Sequence, residues 1–290
     1  MKPKIAILYS VLCAIWGTTW VILKKSIIEG TPPIYGVGLR FLLAGLILLI
    51  VMIIKGKSIP RSNKALVTYI LFTSMNFVFA YGLSYYAAQF IYSNLSAILW
   101  AGFPFIVVLI SHFYLNNEKL TPTKVITILI GTIGVILILS QGKTMGGNHV
   151  FLGMVLTIIA VIVAAWPNVY LKKNIESIDT LSMNAVCQTC AGIILLSISY
   201  FVESQQTMIW SPFNIFAIGY LTLFGTVTAW MIYIWLFNHI SMTQIAYIAF
   251  PPPVIAFIIG WYFLGEALTP LSILGAVIVI FGAVMVNLKR

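Results

Sequence analysis

The sequence predicts an all-α integral membrane protein whose ten transmembrane helices form two inverted five-helix repeats, and three observations carry that prediction. Hydrophobic residues make up 61% of the 290-residue chain and charged residues 8%, against roughly 45–50% and 25% in soluble domains. Lipid must therefore be the solvent for much of the surface. Ten segments reach the about 20 mainly apolar residues that a bilayer crossing needs. One stretch occurs twice at a constant offset of 148 residues: it pairs Pro104 with Pro252, Glu118 with Glu266, Leu120-Thr121-Pro122 with Leu268-Thr269-Pro270, and Gly134 with Gly282. The same offset pairs Tyr85 with Tyr233 and Ser93 with Ser241. In an apolar chain a twofold repeat points to a transporter built from two packed halves, here 1–142 and 149–290.

In order, the spans are 4–24, 33–54, 65–87, 93–115, 122–140, 151–171, 180–202, 213–237, 244–264 and 271–288. Turn and breaker clusters separate them at 30–33, 55–60, 116–117, 142–148, 176–179, 204–212 and 265–270. The third and fourth spans meet at 88–92, where no charge intervenes and the turn must be short. The basic start of the chain has the outline of a signal peptide but no small-x-small cleavage site, so the first apolar run is read as a retained span.

Lys and Arg orient the bundle. With the N-terminus inside, twelve basic residues lie at cytoplasmic span ends and three, Lys24, Lys25 and Lys143, at the other side; Arg40 falls within a span. That bias predicts both termini in the cytoplasm, in the inner or plasma membrane. Five spans per repeat is an odd number, so the second half enters the bilayer from the opposite side. The net charge of +10 is spread over span ends rather than gathered in a stripe, which argues against nucleic acid as a partner. Cys13, Cys187 and Cys190 all lie in apolar runs and are expected to pack, not to form a disulfide framework or metal cage.

The repeated motif has a local reading. Thr121-Pro122 and Thr269-Pro270 fit an N-cap followed by the first helical position, because the hydroxyl accepts an orphan N–H and proline has none to lose. Pro104 and Pro252 fall within spans, where each is expected to open a kink, the sharper one at Pro251-Pro252-Pro253. Gly131, Gly134, Gly275 and Gly282 are expected to let the closing helix of each half approach a neighbour closely.

Ten spans in two five-span repeats, Trp16-Gly17 in the first span, Arg40-Phe41 in the second and the Pro-to-Glu-Leu-Thr hairpin together resemble the EamA family of the drug/metabolite transporter superfamily. The resemblance covers essentially the whole chain. It implies a ten-helix carrier with a central cavity between the halves, alternating access, and small polar or amphipathic metabolites as cargo, often exported amino acids. The second half departs from the pattern, with Trp166-Pro167 in place of Trp-Gly and Gln188 opposite Arg40, so the cavity should be asymmetric.

Polar groups at membrane depth are costly and mark candidate sites. The substrate-binding candidates are Trp16, Arg40, Asn76, Tyr81, Tyr85, Trp100, Trp166, Gln188, Trp230 and Tyr247. Arg40 has no acidic residue within any span to pair with, so it either receives a substrate carboxylate or phosphate through a charge-assisted bond or snorkels or caps carbonyls of a broken helix. The tryptophans offer an apolar plate and one donor each, although Trp20, Trp210 and Trp261 sit where an interfacial belt is expected. Asn76 and Gln188 stand out from a wider set of amides with Asn94, Asn168 and Asn184, and Tyr86 and Tyr233 belong to the wider aromatic set.

All six acidic residues, Glu29, Glu118, Glu176, Asp179, Glu203 and Glu266, lie in loops or at span ends. The buried carboxylate of a proton antiporter is therefore expected to be missing. Glu118 and Glu266 precede a helix N-terminus and are expected to be structural. No cofactor, metal site or catalytic group is expected: three scattered histidines and no acid cluster argue against a membrane enzyme. The expected partners are a small-molecule substrate and the lipid bilayer, in a monomer or homodimer. A multidrug or quaternary-ammonium exporter is the alternative that wants an aromatic cage with a buried acid. A lipid flippase or scramblase is the alternative that wants a polar groove open to lipid.

Overall fold

The computed structural model describes residues 3–115, 121–140 and 142–288, with side chains described for all of these except 139, 142–148 and 283–288. The described residues form an all-α bundle of ten helices: α1 (Pro3–Ile28), α2 (Pro33–Ile54), α3 (Asn63–Ala88), α4 (Ser93–Tyr114), α5 (Pro122–Ser140), α6 (Gly142–Asn174), α7 (Thr180–Val202), α8 (Pro212–Phe237), α9 (Met242–Leu264) and α10 (Pro270–Leu288). Eight are long and apolar enough to cross a membrane. The other two, α5 and α10, have 19 helical residues each, about the length the hydrocarbon core requires.

The starts of α5 and α10 follow the motif. Thr121 and Thr269 accept from the backbone N–H of Lys124 (3.3 Å) and Ser272 (3.1 Å), and Pro122 and Pro270 open the helices. Gly265 ends α9 at φ 63°, a left-handed conformation that glycine adopts without a Cβ penalty. The short turn between α3 and α4 is also present.

Two expectations need correction, and one feature is new. The segment 142–148, expected as a loop, is the start of α6; once a long helix is nucleated, each added residue gains a backbone bond for little further cost. Pro104 and Pro252 do not kink continuous helices. α4 stops at Trp100 and restarts at Phe103, and α9 passes through a 3₁₀ turn at Tyr247–Ala249 before restarting at Pro251. Each proline thus sits in the first turn of a half-helix, where its missing N–H costs nothing. Finally, α3 and α8 each contain a π segment, Phe72–Ala80 and Leu223–Thr228, which no residue pattern announces.

Two glycine-lined helix pairs flank the bundle. In α5 and α10 a Cβ on Gly134 would lie 2.7 Å from the Gly275 carbonyl, and one on Gly275 would lie 2.8 Å from the Gly134 carbonyl. The expected close approach of the closing helices is therefore to each other, with Gly131 against the Phe105 ring and Gly282 against Thr127. The most extensive pair, α2 with α7, is closer still, at Gly45 and Gly192.

The halves are stitched by charged groups at helix ends. α2 and α4 begin after Pro32 and Tyr92, neither of which supplies a side-chain cap. Both take a carboxylate from the second half. Glu203 accepts from the N–H of Ile34 and Tyr35, each at 2.8 Å; Glu266 accepts from Ser93 N–H (2.7 Å), Ser93 hydroxyl (2.8 Å) and Asn94 N–H (3.1 Å). Glu266 is structural as expected, but it caps α4 rather than the helix that follows it. These carboxylates are 4% and 3% exposed, so buried carboxylates do exist here, contrary to expectation, and both are saturated by helix donors. α7 and α9 begin with their own caps, Asp179 and Ser241, the latter in a capping box with Gln244. Glu118, the repeat partner of Glu266, lies outside the described residues.

Lysines close the opposite ends. Lys24 donates to the carbonyls of Ala88 (2.8 Å) and Gln89 (3.3 Å) at the end of α3, and Lys172, its partner at the repeat offset, donates to Phe237 and Ile240 at the end of α8. Lys57 pairs with Asp179. Burial raises the Asp179 carboxyl, but Lys57 and the Ser182 N–H outweigh it and set it below the ordinary carboxylate value. The pair's stabilisation is present above that ordinary value and fades as pH falls through the lowered one. Partly exposed, it is worth at most about 1 kcal/mol.

Candidate functional site

The π segments matter because the wider turn frees backbone groups and bulges the helix inward. In α8 the Thr226 hydroxyl is turned back onto the Leu221 carbonyl at 2.8 Å, and the Gly225 carbonyl faces Arg40 of α2. Arg40, 1% exposed, donates from Nε to Thr226 Oγ1 (2.7 Å), from Nη2 to the Gly225 carbonyl (3.0 Å) and from Nη1 to the Tyr85 hydroxyl. A Cβ at Gly225 would lie 3.3 Å from Thr19 Oγ1 and 3.4 Å from the guanidinium, so α2 and α8 meet closely here. Carbonyl capping, one of the two sequence readings of Arg40, is thus part of what it does. Its guanidinium also stands 5.5–5.7 Å from the ring centroids of Phe41, Tyr81 and Tyr85, whose faces favour the charge.

A second polar cluster lies on α3, α6 and α8. Asn168 donates to Asn76 Oδ1 (3.1 Å) and to the Ala164 carbonyl (2.8 Å), and accepts from the Tyr233 hydroxyl (3.0 Å). Tyr85 and Tyr233, partners at the repeat offset, therefore anchor two unlike poles, one cationic and one neutral amide. Between them run the rings of Tyr81, Trp230 and Trp16: Trp230 stands 6.0 Å from Tyr81 and 5.9 Å from Trp16, and Trp16 stands 5.1 Å from Tyr233.

Trp16, Arg40, Asn76, Tyr81, Tyr85, Asn168, Trp230 and Tyr233 line one cavity of about 100 Å³, walled by α1, α2, α3, α4, α6, α8 and α9 and hence by both halves of the chain. A single water needs roughly 10–15 Å³ on this measure, so the space suits a small solute. Seven of the ten candidates, Trp16, Arg40, Asn76, Tyr81, Tyr85, Trp100 and Trp230, are in its wall. Three are not. Trp166 packs against Tyr114 and Tyr170; Gln188 is wholly buried in α7 on Asn184 (2.9 Å); Tyr247 sits against Phe250 at the α9 break. Trp20, expected in the interfacial belt, instead faces the cavity beside Trp100. Trp210 and Trp261 are exposed.

Asn168 and Tyr233, part of the wider sets, turn out to hold the neutral pole together. Thr19, Ser84 and Thr226 carry no sequence signal beyond a hydroxyl in an apolar run; Gly225, a glycine inside a span, was the available hint. None of the described acidic residues lines the cavity.

A family model described as the EamA-like transporter family matches residues 4–140 and again 151–288. The chain belongs to the EamA-like transporter family. Proteins similar to it over nearly their whole length include "Uncharacterized transporter YoaV" of Bacillus subtilis (strain 168), 27% identical over 93% of this chain and 92% of that protein. "Uncharacterized inner membrane transporter YedA" of Escherichia coli (strain K12) is 28% identical over 96% and 89%, and "Protein PagO" of Salmonella typhimurium is 27% identical over 100% and 94%. A solved structure described as "Crystal structure of protein" shares the fold, with a TM-score of 0.73 at 14% identity over 99% of this chain and 98% of that one. The cavity of this EamA-like transporter is walled by residues from both matched segments.

Proposed function

We propose that this EamA-like protein is a secondary transporter, an exporter of small metabolites with amino acids among them, working by alternating access of the central cavity between two inverted repeats. The observation that carries the reading is the cavity itself, small, aromatic and walled by both halves. Rocking one half against the other would expose it to alternate faces, and the broken helices α4 and α9 supply hinge points in its wall. The aromatic wall by itself would also suit a quaternary ammonium ion, but Arg40, with none of the described acidic residues in the cavity wall, opposes a bare cation.

Purified protein in liposomes should exchange labelled amino acids against an internal pool, and the exchange should survive collapse of the proton gradient, because no described carboxylate reaches the cavity. Exchange that vanishes with the gradient would rule out this mode. The orientation has its own test. Reporters fused after Lys64 and Lys173 should read cytoplasmic and one fused at Gly146 external, as both termini inside the plasma membrane requires; an external signal at Lys173 removes the inverted arrangement.

A further inference from the structure

Two N–H donors in the cavity wall have no partner in the fold. Asn168 Nδ2 donates to the Ala164 carbonyl and to Asn76 Oδ1, and the turned-over amide would set oxygen against oxygen at Ala164. That fixes Asn168, which in turn fixes the oxygen of Asn76 toward it. What remains is Asn76 Nδ2, buried and without a partner, and Trp16 Nε1 is in the same state. The other tryptophan donors of the wall are taken, Trp230 by the Tyr81 hydroxyl (3.2 Å) and Trp100 by Ser84 (3.1 Å). At the opposite pole Arg40 uses three of its five N–H groups on protein. The two amide oxygens of the wall, Asn76 Oδ1 and Asn168 Oδ1, are both engaged.

Resting on the carrier reading above, we propose that the cavity selects cargo by its acceptors. A carboxylate sits at the Arg40 pole and a neutral acceptor, a carbonyl or amide oxygen, at the Asn76–Trp16 pole, with an apolar stretch against Trp230 and Tyr81 between them. A cationic end group at the Asn76–Trp16 pole is disfavoured, because the unpartnered groups there are N–H donors; an ammonium carried beside the carboxylate, as in an amino acid, leaves the Arg40 contact intact. The repeat explains the polarity: Tyr85 and Tyr233 are equivalent positions, and the charge beside one is replaced by amides beside the other.

The test holds the carbon skeleton constant and varies its ends. Binding of hexanoate, 5-oxohexanoate, 6-aminohexanoate and hexylamine to the full-length protein is read from tryptophan fluorescence, since Trp16, Trp20, Trp100 and Trp230 are in the wall. 5-Oxohexanoate should bind severalfold tighter than hexanoate, and the two amines at least tenfold weaker than 5-oxohexanoate. Trp16→Phe removes the N–H, which bonds nothing in the fold, together with part of the ring that packs on Trp230 and Tyr233. It should narrow the ratio of 5-oxohexanoate to hexanoate affinity toward one, a ratio that a general loss of packing would leave unchanged. Amines that bind as well as 5-oxohexanoate, or an unchanged ratio in Trp16→Phe, overturn the proposal and leave the carrier reading standing if amino-acid exchange persists. Absence of binding by all four overturns the proposal, and if exchange is absent as well it overturns the carrier reading too.

Discussion

Gly45→Ala and Gly192→Ala should each prevent the native bundle from forming, although each adds one methyl group. A Cβ on Gly45 would lie 2.4 Å from the Thr189 backbone nitrogen and 2.7 Å from its Cα, and a Cβ on Gly192 would lie 2.4 Å from the Leu42 nitrogen and 2.6 Å from its Cα. Side-chain overpacking in a core costs about 1–3 kcal/mol because side chains can move aside. Backbone inside a helix cannot, so α2 and α7 must separate along the contact that joins the halves. In lipid that separation is not resisted by a hydrophobic effect, only by packing, and packing is what the methyl removes. The control is Gly219→Ala, on α8, where an added Cβ meets nothing within 4 Å. Size-exclusion profile and melting temperature in detergent should be lost or sharply lowered in the first two variants and unchanged in the third. A wild-type melting temperature for Gly45→Ala would show that the two helices are farther apart than described.

The second large effect is expected from Glu266→Ala and Glu203→Ala. Each removes the shared acceptor of two buried backbone N–H groups and a serine hydroxyl, Ser93 for Glu266 and Ser199 for Glu203. An orphaned buried donor costs about 1–3 kcal/mol, and loss of an anion at a helix start adds up to about 2 kcal/mol. A fall in stability of several kcal/mol is therefore expected for either variant. Glu266→Gln retains one accepting oxygen and should fall between wild type and alanine. If these carboxylates only cap helices, folded Glu266→Gln should still exchange substrate at a near wild-type rate per molecule. Normal stability with abolished exchange would move Glu266 from the scaffold into the transport step.

The two carboxylates also illustrate how a sequence reading reaches its limit. That Glu266 is structural follows from its place before a helix start. Which helix it caps does not, because the acceptor is borrowed by α4, whose own start after Tyr92 has no side-chain cap. Of the ten site candidates, Arg40 and the first-half aromatics lie on the cavity since polar and amphipathic groups deep in a span have few other places to go. Trp166 and Gln188 meet the same description and pack elsewhere.

Ten apolar helices and the helix starts at Thr121-Pro122 and Thr269-Pro270 were determined by the sequence alone, because each depends on local chemistry or on the demand of lipid for about 20 apolar residues; the glycines of α5 and α10 announced a close approach but not its partner. The tertiary structure alone decided the breaks of α4 and α9 as full interruptions, the π segments, the cross-half caps, and which tryptophans face the cavity. The reason is the solvent. In a soluble helix the contrast between apolar and polar faces tells inside from outside, but here both faces are apolar, and only packing against neighbours selects the face that looks inward.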